Sequence, residues 1–493
     1  MGLTRRTLLK SSLIAAAGCR TVWPTPADVA AHAMVGDVSA DRAVVWTRAA
    51  RPGRMIVEWS TRADFSDARR TEGGVASPAT GLCAKARLEA LPAGADLFYR
   101  TRVEDSPWVQ GRLRTAPLDD RPVRFGFGGD TVGQGWGIER SLGLPVYRRM
   151  LDERFDFFVH SGDFVYADQP VASEVTLPDG TPWRNVVTEA KSKVAESLDE
   201  FRGQYLYNLL DDDYARFHRE VPLIAQWDDH EAKNNWYPGR RIEDERYRER
   251  SADVLAARAR RAFVEHTPLA WMPDEDGRIY RRVPYGPHLE VFVLDARTYR
   301  GANTNNRSPT GEAFLGAAQA DWLIEGLRSS RATWKIVASD MPLALVVTDG
   351  DDYEAVANGE AGPPLGREVE IARVLTSTKA VPNVVWITAD VHFAAAHHFA
   401  PERAAKDVDF RPFWEIVAGP LHAGTFGPNA LDPTFGPERV FQSTDASVVN
   451  APPSAGLQFY GVGSVARDRA LTLQLVNAAG EVVFERRLEH EAE

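Results

Sequence analysis

The stretch FDFFVHSGDFVY, residues Phe155–Tyr166, indicates the fold of the largest part of the chain. Its first half is a β-branched and aromatic run, which is typical of a buried strand. Its second half turns at a glycine and places Asp163 directly after the strand. Further strands of this kind alternate with helical patterns, so the sequence predicts an α/β core. The predicted strands are Val123–Gly128, Phe155–His160, Pro222–Gln226, Leu289–Leu294, Trp334–Ala338 and Val384–Thr388, and the predicted helices are Pro145–Glu153, Ser251–Glu265, Gly316–Arg328 and Gly366–Thr376.

The residues before this core predict an all-β domain. Residues 30–117 contain alternating or β-branched runs separated by glycine and proline turns, a spacing typical of an immunoglobulin-like or fibronectin-like sandwich. Leu118–Pro122 has the composition of a linker. We therefore expect a leader at residues 1–29, a β-sandwich at 30–117 and an α/β domain at 118–493. That domain should end in a hairpin at Ala470–Leu488.

The N-terminus predicts export. Arg5 and Arg6, followed by a short apolar run and small residues, resemble a twin-arginine signal peptide. This implies the twin-arginine export machinery as a partner and a periplasmic or secreted location. An ordinary secretory leader with a chance arginine pair is the alternative. Cys19 could be a lipoprotein cleavage site, although Ala16 stands where such sites usually carry leucine. No later segment has an apolar run long enough to span a bilayer, so we do not expect this protein to be an integral membrane protein.

Composition narrows the possible partners. The chain has 493 residues and a formal net charge of −11. A chain this acidic has no general basic surface for a nucleic-acid backbone, so we expect no nucleic-acid partner. Apart from the cysteine in the leader, the sequence contains Cys83, which we interpret as structural.

Polar clusters follow four of the predicted core strands. Sites in α/β sheets form beyond the carboxyl ends of strands, so these clusters should lie close together. Several buried carboxylates would each cost several kcal/mol unless multivalent cations compensate them. Carboxylates and imidazole suit Fe, Mn, Zn, Mg or Ca. Any one cluster alone fits a turn or a cap, but all of them in chain order indicate a metal site. The clusters are Gly129-Asp130, Ser161–Tyr166, Asp228–Glu231 and Ala389–His392.

Four motifs resemble those of the alkaline phosphatase D (PhoD) family of calcineurin-like metallophosphoesterases. The resemblance covers nearly the whole chain and implies a four-layer α/β/β/α core. It also implies hydrolysis of small-molecule phosphate mono- or diesters, with Fe³⁺ next to Ca²⁺ or another divalent ion. The motifs are Gly162–Tyr166, Gln226–Glu231 followed by Asn234-Asn235, Thr388–His392 and Ala418–Phe426.

The resemblance implies roles for individual residues. Asp163 would bridge the metals, and Tyr166 and His392 would bind iron. Asp229 and Asp390 would hold the second site.

Five further residues complete the candidate site. His230 would lie near the leaving oxygen, as a proton donor or as a residue that orients its neighbouring ligand. Asn235 and Asp228 are further candidates for the metal site. Arg297 is either a phosphate contact or part of a salt bridge, and Asp340 is either a ligand or a loop cap.

One position departs from the family pattern. The family usually has a cysteine iron ligand after the first core strand, and this chain has Asp130 there. Broader metallophosphoesterases carry an aspartate at that point, followed two residues later by a histidine, but here that position is Val132. Tyr166 could replace the missing histidine. Mn²⁺ or Zn²⁺ could therefore occupy a site that the family gives to iron.

Two rival functions remain at this stage. A phospholipase D-like enzyme would use the same metals on lipid diesters, and an apolar cleft would distinguish it. A non-catalytic surface-binding protein would use the metals only for stability. The loops Asp168–Asn185 and Asp340–Leu365 are expected to shape the pocket.

Overall fold

The computed structural model describes residues 31–270, 278–405 and 408–491. The leader, including Arg5, Arg6 and Cys19, lies outside the described residues, so export stays a prediction that cell fractionation can check. Within the described ranges, none of the helices combines the length and the apolar character that a membrane crossing requires.

Two large β-sheets and six α-helices build the described part of the chain. The strands are β1 (His32–Gly36), β2 (Ala43–Arg48), β3 (Gly53–Ser60), β4 (Arg69–Ala76), β5 (Cys83–Leu88), β6 (Asp96–Val103), β7 (Val109–Arg114), β8 (Val123–Gly128), β9 (Phe157–Ser161), β10 (Glu174–Thr176), β11 (Pro182–Arg184), β12 (Leu223–Gln226), β13 (Arg281–Pro284), β14 (Leu289–Val293), β15 (Trp334–Ala338), β16 (Thr348–Asp349), β17 (Asp352–Tyr353), β18 (Val384–Thr388), β19 (Ala395–Phe399), β20 (Phe413–Val417), β21 (Pro437–Gln442), β22 (Phe459–Val465), β23 (Leu471–Asn477) and β24 (Val482–Leu488). The helices are α1 (Pro145–Asp152), α2 (Leu198–Asn208), α3 (Asp212–Glu220), α4 (Ala252–His266), α5 (Ala317–Ser329) and α6 (Glu368–Ser377).

The two sheets pack face to face, with helices on both outer sides. The nine-stranded sheet has the order β24-β23-β22-β8-β9-β12-β1-β2-β5, and the seven-stranded sheet has the order β13-β14-β15-β18-β20-β19-β21. Along β9, Phe157 and Val159 lie in the core between the sheets, whereas Phe158 packs with residues of α3 and α4. This alternation is the period of two that a strand imposes. Helices α5 and α6 cover the other sheet. The predicted α/β/β/α core is confirmed.

The N-terminal β-sandwich is confirmed, but one of its sheets is part of the core. Strands β4-β3-β6-β7 form one layer, while β1, β2 and β5 extend the nine-stranded sheet. The junction is a parallel pairing of β1 with β12, at Gly36 and Leu223. A Cβ on Gly36 would lie 2.4 Å from the Leu223 carbonyl oxygen, so this approach requires glycine.

Parallel pairing brings the carboxyl ends of the core strands to one edge of each sheet. In the first sheet, β8, β9 and β12 run parallel, and in the second, β14, β15 and β18 do. The Gln226 side chain joins the two edges, because its amide group donates to the carbonyl oxygens of Leu294 and Ala338, both at 3.0 Å. The polar residues after these strands therefore meet between the sheets.

Candidate metal centre

Close approaches at two glycines bring the polar strand ends together. A Cβ on Gly162 would lie 2.4 Å from the Cβ of Asp228, and one on Gly129 would lie 2.8 Å from the Cβ of Ala389. Since real Cβ atoms do not approach so closely, both positions require glycine. The turns after β8, β9, β12 and β18 are thus packed against one another.

Four of the six predicted metal ligands lie on strained backbone. Asp130, Asp163, Asp390 and His392 have φ angles of 68°, 52°, 67° and 60°, in the left-handed region. At Asp390 the strain takes the form of a three-residue turn, in which the N–H of Val391 donates to the Ala389 carbonyl at 2.9 Å. Each such residue costs about 1–3 kcal/mol and persists only where the surroundings hold it in place. Because four predicted ligands share this conformation, the strain at these positions supports a functional role.

Three overlapping groups of side chains could each hold a metal ion, since their ligand atoms lie within 4.8 Å of one another. Asp163 belongs to the first and second groups, and Asp229 to the second and third. The first group is Asp130, Asp163 and His392, the second is Asp163, Asp229 and His230, and the third is Asp228, Asp229 and Asp390.

Tyr166 completes the first group. Its hydroxyl oxygen lies 2.7 Å from His392 Nε2, which in turn is 3.9 Å from Asp130 Oδ1. His392 Nδ1 donates to the Gly424 carbonyl at 2.6 Å. The neutral ring therefore keeps the lone pair on Nε2, the nitrogen that faces the group. Tyr166 is wholly buried. Sequence reasoning placed it here through the resemblance.

Unpartnered oxygen atoms show that a cation fits these residues. Both carboxylate oxygens of Asp130, Oδ1 of Asp229 and Oδ2 of Asp228 are buried and have no hydrogen-bond partner within the protein. A buried acceptor without a partner is costly, and a carboxylate more so. Hard or borderline cations prefer such oxygen and imidazole donors. The donor set thus fits the metal ions of the family.

The electrostatics of the group depend on that cation. Burial raises the pKa of Asp130 to about 8. Burial, with the charge of Asp229 adding to it, raises the pKa of Asp163 well above its usual value. Burial and the nearby Glu354 do the same to the pKa of Asp390. A bound cation reverses this preference and keeps the carboxylates ionised.

His230 is held by two carboxylates. Its backbone N–H donates to Asp163 Oδ1 at 3.1 Å, and its ring Nδ1 donates to Asp168 Oδ1 at 2.7 Å. Burial would lower the pKa of His230, but Asp168, Asp229 and Asp163 together outweigh it and raise the pKa well above 6.5. These carboxylates therefore favour the protonated imidazole. Asp168 was not predicted from the sequence. It acts through His230, which lies 62 positions away, and no local pattern marks such a residue.

Sequence reasoning also missed the role of Glu231. This wholly buried carboxylate accepts backbone N–H groups from Asp163 (3.1 Å), Phe164 (2.6 Å) and Asp228 (2.7 Å). It therefore ties the turn after β9 to the turn after β12. Its place beside His230 in the Asp228–Glu231 motif was the available signal.

The remaining predicted site residues, Asn235, Asp340 and Arg297, lie around these groups. The backbone N–H of Asn235 donates to Asp229 Oδ2, and its carbonyl accepts from Arg240 at 2.7 Å. Arg240 also pairs with Asp349 at 2.7 Å, which attaches the loop containing β16 and β17 to the centre. Asp340 is wholly buried behind Asp228, as is Arg297.

Comparison with known proteins agrees with this architecture. Residues 125–473 match the family described as PhoD-like phosphatase, and residues 21–117 match the family described as PhoD-like phosphatase, N-terminal domain. Alkaline phosphatase D of Bacillus subtilis (strain 168) is 26% identical over 419 residues, which cover 79% of this chain and 67% of that protein. The solved structure of PhoD superposes with a TM-score of 0.67 at 20% identity, covering 96% of this chain and 93% of that one. A purple acid phosphatase, PPD1 from yellow lupin seeds, has a TM-score of 0.60 at 12% identity, covering 93% and 74%.

Proposed function

The chain belongs to the PhoD-like phosphatase family, and from this premise we propose that its buried carboxylate centre hydrolyses small-molecule phosphate esters with Fe³⁺ next to Ca²⁺ or another divalent ion. Membership makes it a metal-dependent phosphoesterase, which leaves no support for a non-catalytic binding protein. The observation that carries the proposal is the sharing of Asp163 between two ion groups. A carboxylate shared in this way would contribute to holding two ions, and hydrolysis by paired metals requires such a pair.

The residues divide into two subsites. The first would hold the more acidic ion through Asp130, Asp163, Tyr166 and His392. When bound, the ions lower the pKa of a water molecule and neutralise charge on the phosphoryl oxygens. The second subsite would consist of Asp163, Asp228, Asp229 and Asp390.

His230 is proposed to protonate the leaving oxygen. Asp168 occupies Nδ1, so the proton on Nε2 is the one available to a substrate. His230→Asn should lower kcat for an alkyl phosphodiester by about 100-fold, because a basic alkoxide needs that proton. A nitrophenyl ester, whose leaving group needs little protonation, should lose much less. Steady-state kinetics on both substrates measures the difference. Equal losses on the two would instead support a role in orienting Asp229.

Metal removal tests the function itself. Incubation with a chelator should reduce hydrolysis of bis(p-nitrophenyl) phosphate by about 1000-fold or more, and re-addition of iron with Ca²⁺ or Mn²⁺ should restore it. Thermal unfolding recorded on the same samples shows whether the stripped protein is still folded. Full activity in a folded, metal-free sample would contradict the proposal.

A further inference from the structure

A buried arginine that the proposed chemistry does not use lies behind the third ion group. The side chain of Arg297 has no exposed surface. Its turn is fixed by Asp295, whose Oδ1 accepts the backbone N–H groups of Arg297 (3.2 Å) and Thr298 (2.9 Å). A phosphate at the protein surface does not reach a guanidinium enclosed in this way.

Four carboxylates surround that guanidinium. Its Nε donates to Asp228 Oδ1 at 2.5 Å and lies 3.4 Å from Asp340 Oδ2. Nη1 donates to Glu354, and Nη2 lies 3.8 Å from Asp390 Oδ1. Of the four, Asp228 and Asp390 belong to the ion group, and Asp340 and Glu354 do not. Arg297 therefore links the ion-binding carboxylates to a fixed buried frame.

The contact decides which oxygen Asp228 can offer to an ion. Asp228 Oδ1 is occupied by Nε of Arg297, whereas Oδ2 has no partner and is left for an ion. An arginine does not lose its proton in a protein, so this positive charge is permanent. Arg297 contacts four buried carboxylates and Arg300 lies 3.9 Å from one of them, Glu354, so negative charge remains that an ion at the front can compensate.

We propose that Arg297 is a positioning residue for the Asp228, Asp229 and Asp390 subsite, aligning its carboxylates from behind as a fixed internal cation. The inference rests on the metal-dependent function proposed above. A binding measurement with metal alone tests it without any substrate.

The sharpest comparison sets Arg297→Lys against Arg300→Lys. Arg300 is three residues along the chain and also has no exposed side-chain surface. Its Nη2 donates to the Glu354 carbonyl and the Asn303 side chain, and its Nη1 lies 3.9 Å from the Glu354 carboxylate, which is in none of the ion groups. Lysine keeps the charge at either position but cannot bridge several carboxylates at once. Of the two variants, Arg297→Lys is thus the one that removes contacts to Asp228 and Asp390.

The measurement is calorimetric titration of the full chain with Mn²⁺ after chelator treatment. Arg297→Lys should weaken the lower-affinity Mn²⁺ equivalent by about 10- to 100-fold. Arg300→Lys should change it by less than about threefold. Inhibition by inorganic phosphate should stay within about threefold in Arg297→Lys, whereas a direct phosphate contact would weaken it far more.

Glu354→Gln provides a second variant in case Arg297→Lys does not fold. Without the negative charge of Glu354, the Arg297 guanidinium faces mainly the ion-binding carboxylates of Asp228 and Asp390. Mn²⁺ affinity should therefore fall by about tenfold. Unchanged Mn²⁺ affinity in whichever of these variants folds would overturn the proposal. Failure of the unaltered protein to bind Mn²⁺ would count against the metal-dependent function as well, so the two failures are distinguishable.

Discussion

Replacing Asp163 with alanine should reduce turnover of an aryl phosphodiester by about 1000-fold or more, the largest loss from any single ion-group substitution. Asp163 contributes to two of the three groups, so its loss weakens both subsites. It also accepts the backbone N–H of His230, which helps hold the proposed proton donor in place. Steady-state kinetics gives the loss in kcat. Elemental analysis should show that the content of both ions falls.

A matched control lies at the other end of the same strand. Asp156 directly precedes β9, at the end opposite to Asp163, and is 5% exposed. It accepts the backbone N–H of Arg124 at 2.8 Å and pairs with Arg114. Asp156→Ala should therefore lose about 1–3 kcal/mol of stability but keep kcat within about threefold. An Asp163→Ala enzyme that kept its ions and its activity would contradict the assignment of the bridging ligand.

The core strands could be predicted because their signal is local. A β-branched or aromatic run followed by glycine and a carboxylate needs no knowledge of the rest of the chain, and the predicted strand Val123–Gly128 coincides with β8. Helix α2 was missed because polar, aromatic and glycine residues interrupt any apolar stripe. Its one clear signal was the capping box formed by Ser197 and Glu200. The continuity of the sandwich with the core could not be predicted either, since it depends on the pairing of β1 with a strand almost 200 residues away.

The candidate site divides in the same way. Residues directly after strands, such as Asp163 and Asp390, were predicted because strand ends in a parallel sheet share an edge. Asp168 and Glu231 were not assigned roles, because Asp168 acts on His230 and Glu231 acts on Asp163 and Phe164, all of which lie on other segments. The surroundings of Arg297 belong to the same class: its carboxylate neighbours come from four separate turns that only the folded chain brings together.

Asp130 and Tyr166 make opposing demands on the first ion. A carboxylate in place of the family's cysteine removes a soft, strongly donating thiolate, so hard or borderline ions such as Mn²⁺ or Zn²⁺ should compete better. The phenol of Tyr166, 2.7 Å from His392 Nε2, favours ferric iron when it loses its proton. Burial raises the pKa of Tyr166 well above 10, so only a strongly acidic cation would ionise it. Because Fe³⁺ is such a cation and Mn²⁺ is not, the buried phenol should favour iron.

The natively produced enzyme should accordingly contain about one iron and absorb visible light through charge transfer from the Tyr166 phenolate. Tyr166→Phe should bleach it, whereas Tyr207→Phe should not, because Tyr207 is an equally buried tyrosine whose hydroxyl donates to the Val186 carbonyl at 2.7 Å. Asp130→Ala should lose this ion and lower kcat by about 100-fold, since neither carboxylate oxygen of Asp130 has a hydrogen-bond partner within the protein and both are left for an ion. Elemental analysis, absorption spectra and kinetics of the three variants measure these effects. A colourless, fully active enzyme with only divalent metal would overturn the iron assignment and leave the phosphoesterase function intact, because paired divalent ions can activate water at the same carboxylates.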